Sequence, residues 1–82
     1  MLHVIFYTKE VCSLCDDAKA LLLMLENDYP FQLEERDIYT NDEWLEKYQI
    51  LIPFVEVNGN TLNCEELNID SLEELLRDAS QS

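Results

Sequence analysis

The sequence predicts an α/β fold in which helices cover a mixed four-stranded sheet, in the element order β-α-β-α-β-β-α. Short runs of β-branched and aromatic residues alternate along the chain with longer segments whose apolar residues recur at helical spacing. Near the end, Asn58 and Gly59 separate two short apolar runs, as is typical of a two-residue hairpin turn. A hairpin pairs its strands antiparallel and a strand–helix–strand unit pairs them parallel, so the sheet should contain both kinds of pairing.

The first half of the chain is predicted to form a strand, a helix and a second strand. Residues 3–8 have the composition of a strand that is buried on both faces. Residues 13–27 place apolar side chains at i, i+3, i+4 and i+7, which forms one helix face, and Pro30 marks the end of this segment. That face comprises Ala18, Leu21, Leu22 and Leu25. Residues 31–38 alternate partly, as expected of a strand with one wetter side.

The second half is predicted to form a helix, a hairpin and a last helix. The first of these helices should begin at Thr40, because Thr40 and Glu43 have the spacing of a capping box. Its core-facing residues would be Trp44, Leu45 and Tyr48. Residues 54–57 and 61–62 are the predicted strands of the hairpin. Asp70 is the predicted cap of the last helix. The apolar face of that helix comprises Leu72, Leu75, Leu76 and Ala79.

The composition indicates one domain, spanning residues 1–82, and a restricted class of partner. A chain of 82 residues is too short for two independent cores. Its 18 acidic and 5 basic side chains give a net charge of −13, which repels nucleic acid and anionic membrane surfaces and favours basic or neutral partners. The first residues contain no basic stretch, no cleavage site and no apolar run that could cross a bilayer. We therefore expect a cytoplasmic protein, and we expect it to act as a monomer.

Two cysteines, Cys12 and Cys15, stand where the first strand gives way to the first helix. One helical turn brings the sulfurs of such a pair close enough to bond. The free N–H groups at a helix start favour negative charge, and the thiolate is the attacking species in disulfide exchange. Cys15 lies three residues before Ala18 on the apolar face, whereas Cys12 precedes the helix. We therefore predict Cys12 as the nucleophile and Cys15 as the shielded resolving thiol, with two ordinary reduced cysteines as the alternative.

Charges near the pair set the predicted acidity of Cys12. The helix start lowers the pKa of the Cys12 thiol, whereas Asp16 and Asp17 in the first turn oppose this shift by repelling a thiolate. Lys9 is the nearest cation in the sequence. We therefore predict that the pKa of Cys12 lies moderately below that of a free cysteine.

Two stretches of the chain resemble the glutaredoxin family of the thioredoxin superfamily. They are FYTKEVCSLC at residues 6–15 and IPFVEVNG at residues 52–59, and the resemblance extends over nearly the whole chain. It implies a thioredoxin-like fold of the glutaredoxin type and a thiol-disulfide oxidoreductase activity. In that family, the residues matching Cys12 and Cys15 are the nucleophilic and resolving thiols, and a cis-proline matching Pro53 faces them.

The resemblance also implies which residues contact the substrate. The backbone of Ile52 would pair with an extended thiol substrate, and Lys9 matches a position that contacts the carboxylate of glutathione. Ser13 and Leu14 stand where the family has a proline and an aromatic residue, a change expected to alter the redox potential and the substrate contacts. The predicted substrate-binding residues are Lys9, Ser13, Leu14, Ile52 and Pro53.

The part of the chain that matches the glutathione loop of the family is altered. Asn63 and Cys64 replace the paired glycines that follow the family's hairpin. We therefore expect no bound cofactor, and glutathione remains a candidate only as a reductant. The expected partner is a protein with a reactive thiol or disulfide, or a low-molecular-weight thiol.

A metal site is an alternative interpretation of the same residues. Cys12, Cys15, Cys64 and His3 would together supply four zinc ligands. However, the rise of about 3.3 Å per strand residue puts His3 roughly 16 Å from the dithiol, so we predict no metal at this site. An iron-sulfur cluster shared by two chains would need glutathione, and the part of this chain that matches the glutathione loop is altered.

A second alternative is a binding module that keeps the fold without the enzymology. Tyr39, Trp44 and Tyr48 would supply its contact surface, although core packing explains their spacing more simply. Cys64 is predicted to be a small buried apolar residue, and a third redox thiol is the competing interpretation.

Overall fold

The computed structural model describes residues 2–81, and their fold is the predicted α/β arrangement. The elements are β1 Leu2–Thr8, α1 Ser13–Leu25, β2 Phe31–Asp37, α2 Asp42–Tyr48, β3 Phe54–Val57, β4 Asn60–Leu62 and α3 Ile69–Ser80. A single 3₁₀ turn, Ile38–Thr40, joins β2 to α2. The predicted order of elements is therefore confirmed, with ends that shift by one or two residues.

The four strands form one mixed sheet in the order β2-β1-β3-β4. Strand β1 runs parallel to β2, with Thr8 opposite Asp37, and antiparallel to β3, with Tyr7 opposite Phe54. Strand β4 returns antiparallel to β3 after Asn58 and Gly59, whose φ angles of 52° and 84° are those of a tight hairpin turn. The carboxyl ends of β1, β2 and β4 and the start of β3 therefore meet at one edge of the sheet.

Both faces of the sheet are covered, because alternate residues of β1 enter two separate apolar clusters. On one face, Val4 and Phe6 pack with α1 and α3. The helix residues of this larger cluster are Cys15, Ala18, Leu22, Leu25, Leu72, Leu76 and Ala79. On the other face, Tyr7 packs with Tyr48 of α2 and with Ile38. The prediction that the first strand is buried on both faces is confirmed.

The smaller cluster is built from aromatic rings and one arginine. The ring of Tyr7 stacks on that of Tyr48 with 3.9 Å between centroids, and it meets Trp44 edge-on at 6.0 Å. Arg36 donates a hydrogen bond of 2.8 Å to the Tyr7 hydroxyl and lies over the Trp44 ring. Burial, aided by the hydrogen bond with Tyr48, raises the pKa of Tyr7, and Arg36 opposes that rise. Trp44 and Tyr48 thus serve packing, whereas Tyr39 is exposed.

The predicted cap of the second helix is wrong by one residue. Asn41, not Thr40, caps α2, and its side-chain oxygen accepts hydrogen bonds from the N–H groups of Glu43 (2.9 Å) and Trp44 (3.3 Å). The Thr40 hydroxyl instead donates to the carbonyl of Asp37 at 2.6 Å. The 3₁₀ turn after β2 engages Thr40 in this way, so the next polar residue takes the capping position.

The last helix, in contrast, begins earlier than predicted. Asn68, not Asp70, caps α3, and it forms a reciprocal capping box with Ser71. The Asn68 oxygen accepts from the Ser71 N–H at 2.8 Å, and the Ser71 hydroxyl accepts from the Asn68 N–H at 3.0 Å. Asp70 lies in the first turn, where its charge complements the helix dipole.

Replacing Asn68 by alanine should lower the free energy of unfolding by about 1 kcal/mol, because the Ser71 N–H loses its acceptor. The control is Asp70→Asn, which removes only a favourable charge and should cost about 0.3–1 kcal/mol at low salt and less at high salt. Urea unfolding at high salt, followed by circular dichroism, measures the loss of the free energy of unfolding for each of the two variants. A larger loss from Asp70→Asn under these conditions would contradict the observed helix start.

Candidate redox site

Cys12 and Cys15 meet at the amino-terminal end of α1. Cys12 is the N-cap residue, with an extended backbone, and its sulfur accepts a hydrogen bond of 3.1 Å from the Cys15 N–H. The two sulfurs form a disulfide, with 5.2 Å between the Cα atoms. The free N–H groups of the first helical turn therefore point toward Cys12, an arrangement that stabilises a thiolate there when the disulfide is reduced.

The two sulfurs differ in their exposure. Cys15 is 1% exposed and packs in the larger cluster with Ala18 and Leu22, which confirms its predicted burial. Cys12 is partly exposed at the edge of the same cluster. Of the two cysteines, Cys12 is therefore the more accessible to an incoming molecule.

The Ile52–Pro53 peptide bond is cis, as the family resemblance implies. Pro53 is buried and, together with Leu14 of the dithiol segment, lines a cavity of about 120 Å³. Ile52 packs against the same cluster as Cys12. The structure thus brings Pro53 to Leu14 of the dithiol segment and packs Ile52 against the same cluster as Cys12, while Ser13 is exposed at the first position of α1.

Lys9 directly follows β1, in the segment that leads to α1. It lines a cavity of about 350 Å³ that reaches Cys15, and a second cavity of about 410 Å³ that reaches Val11 and Tyr39. Both cavities are also lined by carboxylates, among them Glu10 and Asp37. The lysine that the resemblance assigns to a glutathione carboxylate is therefore surrounded by negative charge.

With this geometry established, comparison with known proteins identifies the family. A family model described as the glutaredoxin-like domain (DUF836) matches residues 3–77. The chain belongs to this family. A curated relative, an uncharacterised protein of Rickettsia prowazekii (strain Madrid E), is 32% identical over 56 residues, which is 68% of this chain. The chain covers only 25% of the length of that relative.

Solved structures share the fold of this glutaredoxin-like domain. The oxidised form of mitochondrial thioredoxin 3 from Saccharomyces cerevisiae matches with a TM-score of 0.69 and 18% identity, over 94% of this chain and 77% of the thioredoxin. A malarial protein matches with a TM-score of 0.69 and 15% identity, over 96% of this chain and 97% of that protein. At these identities the likeness establishes the thioredoxin-like fold. No helix within residues 2–81 has the length and hydropathy needed to cross a bilayer.

Cys64 is not the buried residue that the sequence predicts. It is partly exposed, because β4 ends at Leu62 and Cys64 lies in the following turn. Its N–H donates to the carbonyl of Leu51 at 3.0 Å, which ties this turn to the segment before Pro53. Cys64 therefore lies at the same edge of the glutaredoxin-like domain as the dithiol and lines the small cavity shared by Leu14 and Pro53.

His3 lies far from the dithiol, near the opposite end of β1. Its ring pairs with the carboxylate of Glu34 at 3.0 Å. Hydrogen bonds from Arg36 and His3 lower the pKa of Glu34, with Arg36 as the larger cause. Within residues 2–81, no group of three or more histidine, cysteine and carboxylate side chains is placed to hold a metal ion.

The predicted site residues include neither Glu10 nor Asp37, and Tyr39 is predicted only as part of the contact surface of a binding module. Asp37 is the last residue of β2 and Tyr39 lies in the 3₁₀ turn after it, and they line the same cavity as Glu10 and Val11. The sequence contained the signal, since two parallel strands end at the same edge of a sheet and Asp37 lies at the end of the predicted second strand.

Proposed function

We propose that this glutaredoxin-like domain is a thiol-disulfide oxidoreductase that reduces or exchanges disulfides through Cys12 and Cys15. The observation that carries the proposal is the disulfide between an accessible N-cap cysteine and a cysteine that is 1% exposed. Such a pair takes up two electrons when the S–S bond breaks and releases them when the bond forms again.

The reduced dithiol would act in two displacement steps. The Cys12 thiolate attacks one sulfur of the substrate disulfide, a mixed disulfide forms, and the other substrate sulfur leaves as a thiolate. Cys15 then loses its proton and attacks the Cys12 sulfur, which releases the second substrate thiolate and closes the Cys12–Cys15 disulfide. Two electrons pass from the dithiol to the substrate, and an external thiol reductant must restore the reduced pair.

The surroundings of Cys12 support both steps. The Cys15 N–H already donates to the Cys12 sulfur, so negative charge on that sulfur needs no rearrangement of the helix start. The Cα separation of 5.2 Å keeps Cys15 within bonding range of Cys12. The moderately lowered pKa of the Cys12 thiol stays a prediction.

The proposal extends to partners and compartment. Substrate would lie along Ile52 and Pro53 and contact the first turn of α1, where Ser13 and Leu14 are exposed. The substrate class is a protein with a reactive thiol or disulfide, or a low-molecular-weight thiol. Glutathione is a candidate reductant only. We place this activity in the cytoplasm and expect the domain to work as a monomer without a resident cofactor.

A Cys12→Ser variant tests the proposal directly. The reduced wild-type protein should reduce a small peptide disulfide, whereas Cys12→Ser should react no faster than a mixture without protein, because the accessible thiolate is lost. Cys64→Ser is the matched control, since it removes the third thiol and retains the pair. Peptide thiols are counted by chromatography over time. Equal rates for wild type and Cys12→Ser would refute the oxidoreductase function.

A further inference from the structure

Several apolar side chains around Cys12 are exposed to solvent instead of entering a core cluster. Val11, directly before Cys12, is 90% exposed, and Leu14 is 64% exposed. Tyr39, which follows β2, is 65% exposed. Single exposed apolar residues are ordinary, but here Val11 and Leu14 flank the reactive cysteine in the sequence and Tyr39 shares a cavity with Val11, which favours a contact surface for a macromolecule.

Two of these side chains share one cavity with carboxylates. The cavity of about 410 Å³, here called the Val11–Tyr39 pocket, is lined by Val11, Tyr39, Lys9, Glu10 and Asp37. It therefore combines an aliphatic wall, an aromatic ring and two carboxylates against one ammonium group. The Asp37 carboxylate also accepts the Tyr39 N–H at 2.9 Å, which fixes its position in the pocket.

The neighbouring charges make this region more negative still. The adjoining cavity of about 350 Å³ adds Asp16, Lys19 and Glu35 to the same set. Lys19 and Glu35 form an ion pair with each other, so their charges cancel locally. Asp16 remains as a further carboxylate in the first turn of α1, and the whole chain carries a net charge of −13.

We propose that the Val11–Tyr39 pocket binds an arginine or lysine side chain of a polypeptide substrate, next to the cysteine that Cys12 attacks. The aliphatic stem of such a side chain would lie on Val11, and its cationic head would meet the Tyr39 ring and the carboxylates of Glu10 and Asp37. This inference rests on the proposed oxidoreductase function and names its substrate class. Glutathione, with two carboxylates and one ammonium group, is disfavoured by the same charges.

The test uses three peptides of equal length, each carrying one cysteine in a mixed disulfide with thionitrobenzoate. The residues flanking that cysteine are arginine, its uncharged isostere citrulline, or glutamate. The Cys12 thiolate attacks the peptide sulfur, thionitrobenzoate leaves as a coloured thiolate, and Cys15 then releases the peptide thiolate. The two-electron oxidation of the dithiol thus balances the reduction of one disulfide.

With the reduced wild-type protein, the arginine peptide should react about ten-fold faster than the citrulline peptide at low ionic strength. The glutamate peptide should be slower than both. High salt should reduce these differences, because screening weakens the attraction of exposed charges. Equal rates for the arginine and citrulline peptides would overturn the pocket assignment, although a measurable rate would leave the oxidoreductase function standing.

A pair of matched double variants locates the effect. E10Q/Y39A removes one carboxylate and the aromatic ring of the pocket, and it should lose most of the preference for the arginine peptide over the citrulline peptide. E26Q/M24A makes the same kind of change at exposed positions near the carboxyl end of α1 and should keep the preference. A similar loss in both variants would assign the preference to net charge and overturn the pocket. A wild-type protein no faster than Cys12→Ser with all three peptides would instead overturn the proposed function, and the pocket with it.

Discussion

A Cys15→Ser variant should accumulate a covalent adduct between Cys12 and its substrate as its major form under mild oxidation. In the wild-type protein, Cys15 lies within bonding range of the Cys12 sulfur and would resolve the mixed disulfide. A serine hydroxyl cannot displace a thiolate from that disulfide, so the intermediate should persist. Mass spectrometry under non-reducing conditions measures the adduct and identifies the attached molecule.

The control for this trap is Cys12→Ser, which retains both Cys15 and Cys64. We expect no adduct on this variant, since Cys15 is 1% exposed and the partly exposed Cys64 is not at a helix start. If Cys12→Ser collects the same partner in the same amount, the attacking thiol is not Cys12. Absence of any adduct on Cys15→Ser in the presence of an oxidised peptide would equally contradict the two-step mechanism.

A Leu22→Ala variant should lose about 2–5 kcal/mol of the free energy of unfolding. Leu22 is fully buried on α1, in the cluster that also holds Cys15, and truncation there leaves a cavity among close-packed side chains. Native proteins are stable by only about 5–15 kcal/mol, so this variant should approach the threshold of folding. Urea unfolding followed by circular dichroism provides the measurement.

The adjacent leucine supplies the control for Leu22. Leu23 is 47% exposed on the same helix, and Leu23→Ala should change the free energy of unfolding by about 0.5 kcal/mol or less. Leu22→Met, which nearly conserves volume, should cost less than about 1.5 kcal/mol. Equal losses for Leu22→Ala and Leu23→Ala would contradict the orientation of α1, and with it the burial of Cys15.

The order of the elements was predictable because it depends on local periodicity. The apolar face of α1 and the composition of β1 are each read from a dozen or fewer neighbouring residues. The hairpin depends on Asn58 and Gly59, which adopt positive φ without the strain of larger side chains. The placement of Cys12 before α1 and of Cys15 on its apolar face follows from the same periodicity.

The helix starts were less predictable, because several capping residues stand within a few positions of one another. Thr40 and Asn41 are both good caps, as are Asn68 and Asp70. The residue that caps each helix depends on the hydrogen bonds that the neighbouring segment makes with the candidate caps. The 3₁₀ turn after β2 engages Thr40, and the capping box with Ser71 selects Asn68.

By itself, the sequence determined the α/β class, the order of the elements and the dithiol at the start of α1, since each depends on residues that are neighbours in the chain. Tertiary structure alone decided that Cys64 is partly exposed beside Pro53, and that Tyr39 faces Val11 across a cavity. These contacts join residues from separate loops, which meet only because β1, β2 and β4 end at the edge where β3 begins. Strand pairing of this kind is long-range, and no local pattern encodes which loops it brings together.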